Sequence, residues 1–146
     1  MIAQTIQLAL APVFMLVAIG NIMNLLSTRL GRVVDRSRHL QARHGQTGGA
    51  EHDMVVSEIR LVDRRIKLIG RALLLLVTSG VIIGFTVGLL FVEEIGGIDL
   101  QRVAAATFFA SVALLMVALT LFLHETRIAT AALRIPKDYL ELHREL

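Results

Sequence analysis

The chain has 146 residues, of which 55% are hydrophobic and 18% charged, and a chain of this length suggests one domain. Its apolar residues occur in long uncharged blocks, which so short a soluble protein could not cover with a polar shell. The net charge of +3 does not indicate a nucleic-acid partner, because the basic residues flank the apolar blocks as they do in membrane proteins. The absence of cysteine excludes disulfides, thiolate metal sites and a catalytic thiol.

Three apolar segments predict three transmembrane helices. About 20 helical residues cross the hydrocarbon core of a bilayer, and the segments 6–27, 72–92 and 103–123 reach that length without a charged residue. The first segment lacks the basic start and the cleavage site of a signal peptide, so we expect it to be retained. The sequence therefore predicts an all-α integral membrane protein with a single membrane domain over residues 1–146.

The charged segment 28–71 predicts a helical hairpin that extends the first two spans. Its apolar residues recur every three or four positions on either side of a glycine-rich turn near 45–50, which is typical of two antiparallel helices packed as a coiled coil. In this arrangement Arg43 and Glu58 lie close enough to pair. The predicted contact residues of the hairpin are Leu30, Val33, Leu40, Ile59, Val62, Ile66 and Ile69.

The distribution of basic residues predicts the orientation of the chain. Ten of the fifteen lysines and arginines lie in the segment 28–71, four lie after residue 123, and one lies in the loop 93–102. Basic residues are retained on the cytosolic side of a membrane. We therefore expect a cytosolic hairpin, a cytosolic tail over 124–146, and an N-terminus on the outer side.

The first span carries one polar face, formed by Gln7, Asn21, Asn24 and Thr28 together with small residues. Polar side chains in hydrocarbon are costly unless they meet a partner or water. Two interpretations remain open. The amides either bond between helices or line a water-filled path.

Glycines at every fourth position of the second span, Gly80, Gly84 and Gly88, predict a flat surface against which another helix packs closely. The pattern does not say whether that helix belongs to the same chain. Since all three spans carry small or polar faces and three helices enclose little interior, we expect a homo-oligomer in the lipid bilayer.

Catalytic motifs are absent from the sequence. It has no glycine-rich phosphate loop, no paired zinc histidines and no nucleophile elbow, and its spans contain no ionisable side chain of the kind that proton-coupled pumps use. We therefore predict that the protein is not an enzyme and requires neither cofactor nor metal.

Three strings resemble a known family: TRLGRVVDR over 28–36, EIRLVDRRIKLI over 58–69 and FLHET over 122–126. They are similar to those of the domain-of-unknown-function family 2721, and the likeness extends over nearly the whole chain. The resemblance implies a small protein of the bacterial inner membrane, with the outer side being the periplasm. The family offers no catalytic residues to assign.

Two functions follow as expectations. In the first, several copies form an ion-conducting pore that is lined by the polar face of the first span and has basic residues at its cytosolic mouth. In the second, the protein is a non-conducting scaffold or regulatory subunit, and its hairpin docks a partner or anionic lipid head groups. The basic residues expected to serve either function are Arg29, Arg32, Arg36, Lys67 and Arg71.

Overall fold

The computed structural model describes residues 2–132, and those residues form three long helices. Helix α1 spans Ile2–His44, α2 spans Gly49–Gly96 and α3 spans Gln101–Ala132. Each helix contains a stretch long and apolar enough to cross a membrane. The predicted all-α class, with three helices of membrane-spanning length and composition, is confirmed.

The first two helices are far longer than a membrane requires. At 1.5 Å per residue, the 43 residues of α1 and the 48 of α2 measure about 65 and 72 Å, against a hydrocarbon core of about 30 Å. The charged segment 28–71 is therefore helical except for the link 45–48. Of the predicted tail, 124–146, the first nine residues continue α3, and the others lie outside the described residues.

Glycines end and begin the helices at the two links. Gly97 adopts a left-handed conformation with φ of +62°, and its N–H donates a hydrogen bond of 2.9 Å to the Glu93 carbonyl. Glycine adopts this conformation without the steric cost that a Cβ adds, which is why it commonly follows the last helical turn. Gly49, with φ of +63°, begins α2 after a link of only four residues.

Buried residues recur every seventh position along all three helices. A seven-residue repeat keeps one side of a helix against its neighbour when helices cross at a shallow angle. Helix α2 is the central one and packs against both α1 and α3. The buried positions of this repeat are Thr5, Pro12, Ile19, Leu26, Val33 and Leu40 in α1, Val55, Val62, Ile69, Leu76 and Ile83 in α2, and Ala104, Ser111, Ala118 and Glu125 in α3.

Ion pairs fix which residues of α1 and α2 lie side by side. Arg43 pairs with Glu51 at 2.8 Å, and Arg36 pairs with Glu58 at 2.6 Å. The predicted pairing of Arg43 with Glu58 is therefore wrong, because each of the two residues takes a partner seven positions from the predicted one.

The predicted hairpin contact residues belong to one apolar cluster. Leu30, Ile59 and Ile66 are half-buried, while Val33, Leu40, Val62 and Ile69 are buried. The cluster extends along α1 and α2 into their apolar segments, so the charged and uncharged parts of these helices share a continuous packing surface.

Small residues form the contact between α2 and α3. The Ser79 hydroxyl donates to the Ser111 carbonyl at 2.8 Å, and the Thr86 hydroxyl donates to Thr107 Oγ1 at the same distance. Small side chains let helix backbones approach closely, and hydroxyl bonds of this kind hold helices together in lipid. The residues buried here include Ala72, Ser79, Thr86, Ala104, Ser111 and Ala118.

Three glycines of α2, Gly80, Gly84 and Gly88, lie outside the contact between α2 and α3. A methyl group on Gly80 would lie 3.8 Å from Leu16 of α1, whereas one on Gly84 or Gly88 would meet no atom within 4 Å. Within residues 2–132, Gly84 and Gly88 thus have no close helix against them. A close contact of these glycines with another chain stays a prediction.

Candidate functional site

A buried carboxylate joins the three helices at one level. Glu125 of α3 has no exposed surface, and its Oε1 accepts a hydrogen bond of 2.9 Å from Arg65 Nε of α2. A second guanidinium nitrogen, Arg65 Nη2, also lies 2.9 Å from Oε1, and Arg29 Nη1 of α1 lies 3.3 Å from Oε2. We call Arg29, Arg65 and Glu125 the triad.

Burial makes the triad energetically demanding. A charged carboxylate removed from water costs several kcal/mol unless good partners surround it, and the loss of one partner of a buried pair typically costs about 3–5 kcal/mol. Arg65 satisfies Oε1, but Oε2 has no hydrogen-bond donor among the described residues. Glu125 therefore depends on the positive charges of both arginines, which are themselves only about a quarter exposed.

Arg29 carries the polar contacts between the outer helices. Its Nη1 donates to Thr126 Oγ1 at 2.9 Å, and its guanidinium lies 5.1 Å from the centre of the Phe122 ring, within the range of a cation–π interaction. Within residues 2–132, every side-chain hydrogen bond or ion pair between α1 and α3 involves Arg29. The side chain of one arginine thus positions α3 against α1.

A cavity of about 210 Å³ lies beside the triad. Its floor includes Val33 of α1 and Val62 of α2, which are both buried. We call it the arginine cavity, because its other lining residues are Arg29, Arg32, Arg36 and Arg65.

The basic residues predicted from the sequence divide into two groups. Arg29, Arg32 and Arg36 meet at the arginine cavity. Lys67 instead pairs with Asp63 of its own helix at 2.7 Å, and both side chains are mainly exposed. Arg71 is exposed and does not line the cavity.

The polar face of α1 is fully separated from the helix contacts. Gln7, Asn21, Asn24 and Thr28 are all exposed, on the side of α1 opposite its buried repeat. The Thr28 hydroxyl donates to the Asn24 carbonyl at 3.0 Å, which satisfies that hydroxyl locally. The face therefore makes no contact with α2 or α3 through any hydrogen bond in the described part of the chain.

Sequence reasoning did not identify Glu125 as a site residue. Glu125 lies two residues beyond the third predicted span. Charged residues are common at that place, so its type alone does not indicate a site. The spacing of small residues in α3 could nevertheless have identified Glu125. Glu125 continues the spacing of Ala104, Ser111 and Ala118, so it occupies a position of the repeat that faces another helix.

Comparisons with known proteins give one match. No curated protein and no solved structure matches the chain. The model of the family described as "Protein of unknown function (DUF2721)" matches residues 9–135, which is most of the chain and includes the triad, the arginine cavity and α1 from Ala9 onward. The resemblance noted in the sequence is thereby confirmed, and the chain belongs to the DUF2721 family.

Proposed function

We propose that the protein is a homo-oligomer of the bacterial inner membrane that conducts ions along a path lined by the polar face of α1. In this proposal the N-terminus is periplasmic, the three helices cross the bilayer, and the segment 28–71 forms an antiparallel helical hairpin in the cytosol. The α3 extension and the tail lie on the cytosolic side, as the excess of basic residues there favours.

One observation carries the proposal. The amides of Gln7, Asn21 and Asn24 are exposed on the outside of the three-helix unit, where a single chain would present them to lipid. Each unpartnered polar group in hydrocarbon costs free energy, so such faces turn to other helices or to water. Copies arranged with α1 inward would satisfy all of them at once.

Basic residues directly follow this polar face. Arg32 and Arg36 lie one and two turns beyond Thr28, are exposed, and belong to the same helix. Arg36 is paired with Glu58, so in a ring of copies the positive charge at the cytosolic mouth of the path would come mainly from Arg32. Rings of positive charge favour anions and exclude cations, so the proposed path is selective for anions.

Reconstitution tests conduction. We expect the purified protein in liposomes to conduct chloride, and Asn24→Leu to reduce the current at least tenfold, because it removes an amide from the path. The matched control is Val81→Leu, which changes an apolar residue of α2 that is 68% exposed and should leave the current within twofold. Silence of the unmodified protein at every voltage and membrane tension would refute conduction.

A second function, a non-conducting scaffold or regulatory subunit, is favoured by a groove beside the hairpin. The groove has a volume of about 660 Å³ and includes Met54, which is 73% exposed. Arg60 and Arg64 line it together with Glu58, whose charge is paired with Arg36. An apolar anchor flanked by arginines suits an acidic amphipathic segment of a partner protein. A photo-reactive residue in place of Met54 in the full-length protein should then cross-link one partner, with conduction absent.

A further inference from the structure

We propose that the arginine cavity binds a phosphate-bearing anion. Four guanidinium groups from two helices line one small space, and like charges gathered in this way repel one another unless anions accompany them. The described carboxylates supply two negative charges, Glu125 against Arg29 and Arg65, and Glu58 against Arg36. Two positive charges remain for a ligand.

Arg32 is the residue most available to that ligand. It lines the cavity, and it takes part in no hydrogen bond or ion pair with any of residues 2–132. Arg29, Arg32 and Arg36 are spaced three and four positions apart, which places them on one side of α1. All five N–H donors of the Arg32 guanidinium are therefore free to approach an anion held there.

The paired arginines keep donors as well. Arg65 uses Nε and Nη2 toward Glu125, and Arg29 uses Nη1 toward Thr126, so each has N–H groups that no described residue accepts. Planar guanidinium groups bind phosphate through two parallel hydrogen bonds, which an ammonium cannot do. Such a site distinguishes phosphate from a simple halide.

The space and its walls fit this chemistry. A water molecule occupies about 30 Å³ of the liquid, so a cavity of about 210 Å³ holds a tetrahedral oxyanion with several waters. Val33 and Val62 form an apolar floor, and hydrogen bonds beside apolar groups are stronger than those in bulk water.

The phosphate group could come from a lipid or from solution. The cavity lies beside Arg29, the first charged residue after an uncharged stretch of 28. In the proposed topology this is the depth of the inner head groups, where a phosphodiester of an anionic lipid is within reach. The lipid source rests on that topology, whereas the site itself rests only on the geometry of the cavity.

The test uses the full-length protein in nanodiscs of zwitterionic lipid. Inorganic phosphate, titrated calorimetrically, probes the free anion, and native mass spectrometry after addition of phosphatidylglycerol probes the lipid. We expect one anion per chain, at least tenfold weaker binding for Arg32→Gln, and an intermediate loss for Arg32→Lys, which keeps the charge without the planar fork. Arg38→Gln removes the same charge from an exposed position outside the cavity and should stay within twofold.

Every outcome bears on the proposal. Titratable phosphate binding that depends on Arg32 assigns a soluble anion, and retained phosphatidylglycerol without phosphate binding assigns a lipid head group. If Arg32→Gln and Arg38→Gln weaken binding equally, the binding is general charge attraction and the proposed site is wrong. The proposal is also wrong if the protein binds neither phosphate nor phosphatidylglycerol. Anion binding at the arginine cavity does not depend on conduction. A protein that conducts no current could still bind phosphate there, so the two proposals can fail independently.

Discussion

At the residue scale, the triad places an unusual demand on Arg65. Its guanidinium makes two contacts of 2.9 Å to a carboxylate without exposed surface, whereas Arg29 lies 3.3 Å from that carboxylate and does not hydrogen-bond to it. A buried charge that loses its principal partner is left uncompensated, and the resulting destabilisation far exceeds the value of an exposed pair. The chain contains both kinds of ion pair, the buried pair of Arg65 with Glu125 and the exposed pair of Lys67 with Asp63, so their contributions to stability can be compared.

We expect Arg65→Met to lower the free energy of unfolding by about 3–5 kcal/mol, because Glu125 remains buried beside Arg29 alone. Glu125→Gln should cost less, about 1–3 kcal/mol, since the two arginines left without a carboxylate can still reach water. The matched control, Lys67→Met, breaks the exposed pair with Asp63 and should cost less than about 1 kcal/mol. Unfolding in detergent, followed by circular dichroism, measures all three.

A double variant separates the buried charge from simple loss of packing. Arg65→Met combined with Glu125→Leu removes the charge together with its partner, and replacement of a buried ion pair by apolar residues is often neutral. The double variant should therefore be more stable than Arg65→Met alone. If the two losses add instead, the carboxylate is not the cause.

At the scale of the helices, α2 owes its position to two different surfaces. Toward α1 it presents branched apolar residues such as Val62 and Ile69, and toward α3 it presents the smaller Ser79 and Thr86. The first surface gains from burial of large side chains, and the second from close approach of backbones. A substitution that enlarges a side chain should consequently be most harmful on the second surface.

Ser79→Leu tests this difference. A large side chain inserted into a close contact forces the helices apart, and overpacking typically costs about 1–3 kcal/mol. Ser79→Ala loses only the hydrogen bond to Ser111, worth about 0.6 kcal/mol on average in membranes. Val77→Leu, on an exposed position of the same helix, should change the melting temperature least. If Ser79→Leu and Val77→Leu had the same melting temperature, Ser79 would not lie in a close contact between α2 and α3.

At the scale of the whole molecule, the orientation in the membrane can be read with single cysteines, because the chain has none of its own. A side chain at Gly48 would meet no atom within 4 Å, so Gly48→Cys should fold normally. In intact spheroplasts an impermeant maleimide should label Asp99→Cys and should reach Gly48→Cys only after lysis. The reverse pattern would invert the proposed topology.

The sequence was sufficient to predict those features of the fold that depend only on residues close together in the chain. The three apolar stretches and the seven-residue spacing of Val33 with Leu40 depend only on neighbouring residues, and both predict the helices and their packing faces. The pairing of Arg43 was wrong because its long, exposed side chain can reach carboxylates one repeat apart, and the spacing alone does not choose between Glu51 and Glu58.

The triad depends on residues far apart in the chain. Arg65 and Glu125 are separated by 60 positions, and neither is unusual in its own surroundings. Glu125 is buried only because α2 and α3 bring their repeats together at the level of Arg29. Its role follows from the assembled helices and not from any one segment.

The length of α1 has a mechanical consequence. From Arg29 to the end of the helix at His44, the rod extends about 22 Å, and a tilt of 10° about Arg29 moves its tip by about 4 Å. Because Arg36 and Arg43 pair with α2 along this length, a tilt of α1 about Arg29 would carry α2 with it. A force applied at the link 45–48 would therefore reach the level of Glu125 through two helices at once.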